Sequence, residues 1–158
     1  MGSSFGDLSF LAAPAEKVKE TLFVFTDGGA RGNPGPAAVG FVIKNARGQT
    51  LASQGKTIGI ATNNIAEYQA IIEALVWIKK NSIVTERKLI EVFVDSKLAA
   101  NQLNGLFKIK NKNLREKVVS VRQLERTIGG NVIYHFIPRQ KNRLADSLVN
   151  QALDKKIR

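Results

Sequence analysis

Five short runs of β-branched and aromatic residues limit the possible folds of this chain more than any other feature. The first three follow one another along the chain and are predicted strands: Leu22–Asp27, Ala38–Lys44 and Thr50–Ile58. Because their connections are too short for a crossover, which takes about a dozen residues or more, we expect consecutive antiparallel pairing. Two further predicted strands, Leu89–Val94 and Asn131–Ile137, each follow a helical segment.

Apolar residues at spacings of three and four predict helices between and after these strands. The first predicted helix follows Thr62-Asn63-Asn64, has an asparagine as its cap and ends near Lys80. A short helix then runs from Asp95-Ser96 to about Leu103, and the last two helices cover Asn113–Ile128 and Asn142–Ile157. The order βββαβααβα predicts an α/β fold: a five-stranded mixed sheet with its last two strands parallel to the first and helices on both faces.

The length of the chain, 158 residues, suits one domain. We expect residues 1–20 to form a short N-terminal tail and residues 21–158 the domain. No apolar run approaches the roughly 18 residues of a membrane span, and the first residues lack the pattern of a signal peptide, so we expect a cytoplasmic protein without membrane contact. A monomer is the default expectation.

The chain has no cysteine, and its charge is strongly positive. The absence of cysteine excludes a disulfide framework, a cysteine-based zinc site and a thiol nucleophile. Lys and Arg number 24 against 13 Asp and Glu, which gives a net charge of +11, and the whole excess lies after Ile78. Such a charge can merely aid solubility, but it favours a polyanionic partner such as a nucleic acid.

Four carboxylates stand at predicted element ends, where the rim of a sheet can gather them: Asp27, Glu67, Asp95 and Asp146. Each alone has a structural explanation as a turn residue, a helix cap or a charge at a helix N-terminus. Together they indicate more, because Asp27 and Asp95 would stand about 5 Å apart on neighbouring strands. Paired buried carboxylates repel unless a cation lies between them, and an all-oxygen ligand set favours magnesium or manganese. The pattern indicates two-metal phosphodiester hydrolysis.

Four segments in chain order resemble the four motifs of the type 1 ribonuclease H family: Phe25–Pro36, Thr62–Tyr68, Val94–Leu98 and Ile137–Asp146. The similarity runs from about residue 21 to residue 153, which is nearly the whole predicted domain. It implies a ribonuclease H-like fold, in agreement with the element order. It also implies a metal-dependent endonuclease that cuts the RNA strand of RNA–DNA hybrids and leaves 3′-hydroxyl and 5′-phosphate ends.

The resemblance further implies which residues act. Asp27, Glu67, Asp95 and Asp146 would be the catalytic metal ligands, holding two Mg²⁺ ions for which Mn²⁺ can substitute, with Asp27 as the bridge between the ions. Hybrid recognition in the minor groove, where 2′-hydroxyls distinguish RNA from DNA, would use backbone and side-chain groups of six residues. These predicted substrate-binding residues are Gly28, Gly29, Ala30, Asn33, Asn63 and Asn64.

The sequence departs from the best-known bacterial members at two places, as do archaeal and plant-like bacterial forms of the family. The loop before Asp146 is short and lacks a histidine, and Arg139 stands in the corresponding region as a predicted catalytic residue. Arginine can neutralise a phosphate but cannot shuttle protons near neutral pH. His135, the single histidine, is expected to be structural.

The second departure is the absence of a basic protrusion rich in tryptophan. A smaller group of basic residues remains, and it either contacts phosphates of the DNA strand or forms a solvated face. We call it the basic patch: Lys108, Lys110, Lys112, Arg115 and Lys117.

Two other functions share parts of this pattern. A non-catalytic nucleic-acid-binding module could keep the fold without the chemistry, although the presence of all four carboxylates argues against it. A transposase or exonuclease with the same sheet could act on DNA, but Thr26–Gly29 and Asn63–Glu67 favour ribonuclease H. Double-stranded RNA remains open as a further ligand.

Overall fold

The sheet and helices are described here from a computed structural model. It describes residues 21–81, 89–106, 108–129 and 131–157, so the predicted tail, residues 1–20, lies outside the described residues. In the part of the chain that the structure describes, no helix is both long and apolar enough to cross a membrane.

The strands form one five-stranded sheet in the order β3-β2-β1-β4-β5. β1 pairs antiparallel with β2, and β2 with β3, while β4 lies parallel to both β1 and β5. The predicted mixed sheet is therefore confirmed. The strands are β1 Leu22–Ala30, β2 Gly35–Lys44, β3 Thr50–Ala61, β4 Leu89–Val94 and β5 Asn131–Phe136.

Four helices follow the predicted order. They are α1 Asn63–Lys80, α2 Lys97–Leu103, α3 Lys112–Ile128 and α4 Arg143–Ile157, and a single 3-10 turn, Arg139–Lys141, precedes the last. The predicted asparagine cap of α1 is wrong. Thr62 is the N-cap, because its extended backbone lets its hydroxyl accept a hydrogen bond from the Ile65 amide at 3.2 Å.

The end of β1 also differs from the prediction, which placed a turn at Gly28-Gly29. The strand continues to Ala30, because Gly28, Gly29 and Ala30 pair with Val39, Ala38 and Ala37 of β2, which itself begins earlier than predicted, at Gly35. This pairing satisfies backbone groups that a turn would otherwise have to satisfy. Asp27 therefore lies within a paired strand.

The helices cover both faces of the sheet, as predicted. On one face α1 packs on β1 and β2. The hydrophobic core on this face includes Leu22, Val24, Ile43 and Ile71, each at most 2% exposed. On the other face α4 packs on β1, β2 and β3, with a smaller core of Ala38, Val149 and Leu153. This arrangement brings the start of α1 and the start of α4 to the same edge of the sheet.

Candidate active site

The centre of the site lies where two parallel strands meet this edge. Thr26 of β1 pairs with Val94 of β4, so Asp27 and Asp95 follow at equivalent positions on neighbouring strands. The side chains of such neighbours lie about 5 Å apart. The sequence predicts that Asp27 and Asp95 are neighbours, and the observed register of β1 and β4 agrees with this prediction.

Glu67 reaches the same point from α1. One carboxylate oxygen from each of Asp27, Glu67 and Asp95 lies within 4.8 Å of the other two. Asp27 is 4% exposed and Glu67 is 7% exposed, so little water screens these charges from one another. The three residues, 27, 67 and 95, are far apart in sequence, and they meet because β1 pairs with β4 and α1 packs on β1.

Gly28 makes that packing possible. A Cβ atom at this position would lie 2.0 Å from the Ala66 carbonyl oxygen and 2.6 Å from the Glu67 amide nitrogen, far inside van der Waals contact. The missing side chain therefore lets the first turns of α1 rest directly on β1. Gly40 of β2 does the same for α4, since its Cβ would lie 2.6 Å from the Ala145 carbonyl oxygen. Each glycine sits beside a helix residue that precedes one of the four carboxylates.

Asp146 and Arg139 join the site through an open groove of about 330 Å³. Asp27 and Glu67 line the same groove, together with the backbone of Gly28, Gly29 and Ala30. Asp146 lies in the first turn of α4, and Arg139 begins the 3-10 turn before that helix. All four predicted carboxylates and the predicted arginine thus come to one edge of the sheet.

Burial and neighbouring carboxylates raise the pKa of Asp27 and of Glu67. Burial is the largest cause for Asp27, and the charges of Asp95 and Asp146 add to it, which raises the Asp27 pKa from 3.8 to about 7. Burial, followed by the charges of Asp27 and Asp95, raises the Glu67 pKa well above its ordinary value. The Oε2 atom of Glu67 is buried without a hydrogen-bond partner among the described residues. A divalent cation would offset the repulsion between these carboxylates and would be coordinated by the unpaired Glu67 oxygen. The donor set therefore fits a metal.

The structural explanations for Asp95, Glu67 and Asp27 do not apply here, whereas Asp146 does lie in the first turn of α4, where its charge suits the helix N-terminus. Ser96, not Asp95, caps α2, since its hydroxyl accepts from the Ala99 amide at 3.1 Å. Thr62 caps α1, which leaves Glu67 without a capping role. Asp27 lies in a strand and forms no turn.

Two of the predicted substrate-binding residues also hold the site together. The Asn63 Oδ1 atom accepts from the Ala30 amide at 2.9 Å, and the Asn33 Oδ1 atom accepts from the Asn63 amide at 2.9 Å. Asn63 lines the groove, whereas Asn33 and Asn64 are exposed near it without lining it. Only their Oδ1 atoms are used in these bonds, so their Nδ2 groups can still donate to a ligand.

The remaining predicted features lie elsewhere. His135 bonds Glu91 at 3.0 Å and stacks on Phe93 with ring centroids 5.0 Å apart, on β5 and away from the groove. In the basic patch Lys117 is engaged, because its Nζ donates to Gln69 Oε1 at 2.7 Å. The other four members of the patch are exposed.

Sequence reasoning missed two asparagines beside the carboxylates. Asn142 is 1% exposed and bonds Asp95, and Asn150 lines the groove one helical turn after Asp146. The signal for Asn150 was its spacing of four from Asp146. Asn142 lies in the fourth motif, where it resembles a helix cap.

The chain matches the family model described as Reverse transcriptase-like over residues 25–152. It is 43% identical over 133 residues to ribonuclease HI of Halobacterium salinarum, covering 84% of this chain and 64% of that protein. It is 32% identical over 122 residues to ribonuclease HI of Haemophilus ducreyi, covering 75% of this chain and 74% of that protein.

A solved structure with the same fold is that of LC11-RNase H1, isolated from compost by a metagenomic approach. The TM-score is 0.83 and the identity 40%, over 88% of this chain and 99% of that chain. LC11-RNase H1 has also been crystallised in complex with an RNA/DNA hybrid.

The fold and its edge of carboxylates place the chain in the class of ribonuclease H-like proteins. Within that class it belongs to the type 1 ribonuclease H family, also called ribonuclease HI. It spans less than two thirds of the length of the first curated relatives: 64% of the Halobacterium protein and 35% of three mycobacterial proteins.

Proposed function

We propose that this protein is an endoribonuclease that hydrolyses the RNA strand of RNA–DNA hybrids. The observation that carries the proposal is the cluster of carboxylate oxygens from the buried Asp27 and Glu67 and the half-buried Asp95, all within 4.8 Å of one another. Asp146 and Arg139 share the adjoining groove with two of them. Family membership and the hybrid complex of LC11-RNase H1 support the choice of substrate.

We propose two Mg²⁺ ions as the cofactor, with Mn²⁺ as a substitute. Bound there, they would activate a water for attack on phosphorus and stabilise the departing 3′-oxygen. Asp27 is suited to contact both ions, because all three other carboxylates act on it: Asp95 and Asp146 by charge, and Glu67 at close range. Breaking the bond between phosphorus and the 3′-oxygen leaves a 3′-hydroxyl and a 5′-phosphate.

The remaining groups of the groove would bind and orient the substrate. Arg139 carries a permanent positive charge that can neutralise a phosphate oxygen beside the reacting one. The Asn63 Oδ1 atom already accepts a hydrogen bond from the Ala30 amide. The Asn63 Nδ2 group is therefore the part that can donate to a 2′-hydroxyl or a base edge. Gly28, Gly29 and Ala30 present backbone without a large side chain, which lets a nucleic acid approach closely. Asn33 and Asn64 would contact it at the rim.

The test is cleavage of an end-labelled RNA–DNA hybrid with Mg²⁺, with Mn²⁺ and with a chelator, beside double-stranded RNA and DNA of the same sequence. We expect metal-dependent cuts confined to the RNA strand of the hybrid. Asp27→Asn should abolish them, because it removes the central carboxylate while keeping its shape. Glu116→Gln makes a similar exchange on the exposed part of α3 and should cleave normally.

The outcomes separate the alternatives. Cleavage that persists in Asp27→Asn would contradict the proposed site. Hybrid binding without cleavage under either metal would instead support the non-catalytic module, and cuts in double-stranded RNA would extend the substrate range. A cytoplasmic location and a monomeric state remain predictions from the sequence.

A further inference from the structure

Asn142 is a buried side chain that contacts the carboxylate site and for which the sequence predicted no role. It lies at the junction between the 3-10 turn and α4, and it is 1% exposed. Burying an amide costs free energy unless its groups are hydrogen-bonded. The hydrogen bonds of Asn142 therefore indicate its role.

Both contacts of the Asn142 Nδ2 group reach residues of the site. It donates to the Thr26 carbonyl oxygen at 2.8 Å and to Asp95 Oδ2 at 3.0 Å. The Thr26 carbonyl belongs to the peptide bond that leads into Asp27. One amide group therefore links the strand that bears Asp27 to the side chain of Asp95.

The backbone of Asn142 adds a third link. Its carbonyl oxygen accepts from the Asp146 amide at 3.1 Å, in the first turn of α4. Asn142 thus touches the groups that position three of the four carboxylates: Asp27, Asp95 and Asp146. Its Oδ1 atom has no hydrogen-bond partner among the described residues, so the donors, not the acceptor, make these contacts.

We propose that Asn142 is a positioning residue that holds Asp95 beside Asp27 against their mutual repulsion and thereby prepares the site for a divalent cation. Carboxylate oxygens of Asp95 and Asp27 lie within 4.8 Å of each other, a separation at which two negative charges repel. A hydrogen bond from a neutral amide fixes Asp95 Oδ2 without adding charge. Residues that orient metal ligands in this way typically change metal affinity or activity by about 10- to 100-fold when they are replaced.

This inference rests on the proposed metal site but not on the proposed substrate, so the decisive measurement omits nucleic acid. The experiment titrates the substrate-free protein with Mn²⁺ in a calorimeter, for the wild type, Asn142→Ala and Asn142→Ser. We expect Asn142→Ala to bind Mn²⁺ about 10- to 100-fold more weakly. Asn142→Ser should fall between, because its hydroxyl donates one hydrogen bond where the amide donates two.

A matched control separates positioning from a general loss of stability. Asn104 also donates from its Nδ2 group to a strand carbonyl, that of Tyr134 at 3.2 Å, but it bonds no carboxylate. Asn104→Ala should lower the thermal unfolding temperature without changing the affinity for Mn²⁺. In cleavage assays Asn142→Ala should need more Mg²⁺ while the KM for the hybrid at saturating metal stays unchanged.

Wild-type affinity for Mn²⁺ in Asn142→Ala would overturn the proposal, even if its stability fell, since Asn142 would then be merely structural. If Asn142→Ala does not fold, Asn142→Ser decides by the same criterion. Absence of Mn²⁺ binding in the wild type would also overturn it. Wild-type protein that binds Mn²⁺ without cleaving the hybrid would refute the proposed function and leave this inference standing.

Discussion

Asp27 and Glu67 lie in surroundings that disfavour their charged forms. Burial and neighbouring carboxylates raise the pKa of Asp27 to about 7 and raise that of Glu67 in the same direction. Without a metal, the folded protein therefore holds protons near neutral pH that the unfolded chain releases. Each pKa unit corresponds to about 1.4 kcal/mol, so the cost is on the order of a few kcal/mol when the site is fully charged.

This cost predicts how the stability of the metal-free protein depends on pH. A pKa raised by folding contributes stability below the unfolded value, 3.8 for Asp27, and that contribution is lost as the pH rises through about 7. We expect the thermal unfolding temperature in chelator to fall between pH 5 and pH 8. Thermal unfolding followed by circular dichroism at intervals of one pH unit measures this fall.

The Asp27→Asn variant is the control for that prediction. It should show a shallower decline than the wild type, because it removes one of the two shifted groups. Added Mg²⁺ should flatten the wild-type curve as well. A wild-type unfolding temperature that rises over this range would contradict the electrostatic account.

Arg139 permits a second prediction at the residue scale. Removing a charged hydrogen-bond donor from a phosphate costs about 1.5–3 kcal/mol, so Arg139→Ala should lower kcat/KM by about 10- to 100-fold. This loss is milder than the one expected for Asp27→Asn. Arg139→Lys should recover part of it, since the charge returns without the planar guanidinium. Steady-state cleavage kinetics measure the effect, and an unchanged rate would remove Arg139 from the mechanism.

At the scale of elements, the contact between β1 and α1 determines where Glu67 lies. Gly28→Ala should push α1 away from the strand, because its Cβ would overlap the Ala66 carbonyl. Overpacking of this kind typically costs about 1–3 kcal/mol, and moving Glu67 should also weaken metal binding. Denaturant unfolding and Mn²⁺ titration measure the two effects.

The neighbouring glycine provides the comparison for stability. A Cβ on Gly29 would lie 3.8 Å from Val149 Cγ1, which is an ordinary contact. Gly29→Ala should therefore unfold at nearly the wild-type denaturant concentration. Equal destabilisation by both substitutions would show that backbone flexibility, not close approach, explains Gly28.

Another inter-element contact supports the same edge of the sheet. The Tyr68 hydroxyl, on the residue after Glu67, donates to Gln102 of α2, the helix that follows Asp95. Burial raises the Tyr68 pKa to about 12, so this hydroxyl keeps its proton. This hydrogen bond thus joins α1, which bears Glu67, to α2, which follows Asp95, within the core.

At the scale of the whole molecule, the charge is distributed unevenly with respect to the site. The four carboxylates concentrate negative charge at one edge of the sheet, although the net charge of the chain is +11. Four exposed residues of the basic patch lie on and before α3, while Lys117 is engaged with Gln69. Such a field favours approach of a polyanion, and bound cations would offset the negative edge.

The sequence by itself determined the elements and the kind of chemistry. Strand runs and helical spacings depend on neighbours a few residues away, and they located all five strands and four helices to within a few residues of their observed ends. Carboxylates at element ends, without cysteine, limited the metal chemistry to oxygen ligands. The resemblance to the family motifs added the expected role of those carboxylates as metal ligands.

Only the tertiary structure decided how these residues meet. Whether β1 stops at Gly28 depends on its pairing with β2, and whether Glu67 reaches Asp27 depends on the space that Gly28 leaves for α1. Asn142 bonds Thr26, 116 residues away, and no local pattern predicts such a contact. Local periodicity determines elements, whereas packing, pairing and burial across the sheet determine the site, because these interactions arise between residues that are distant in sequence.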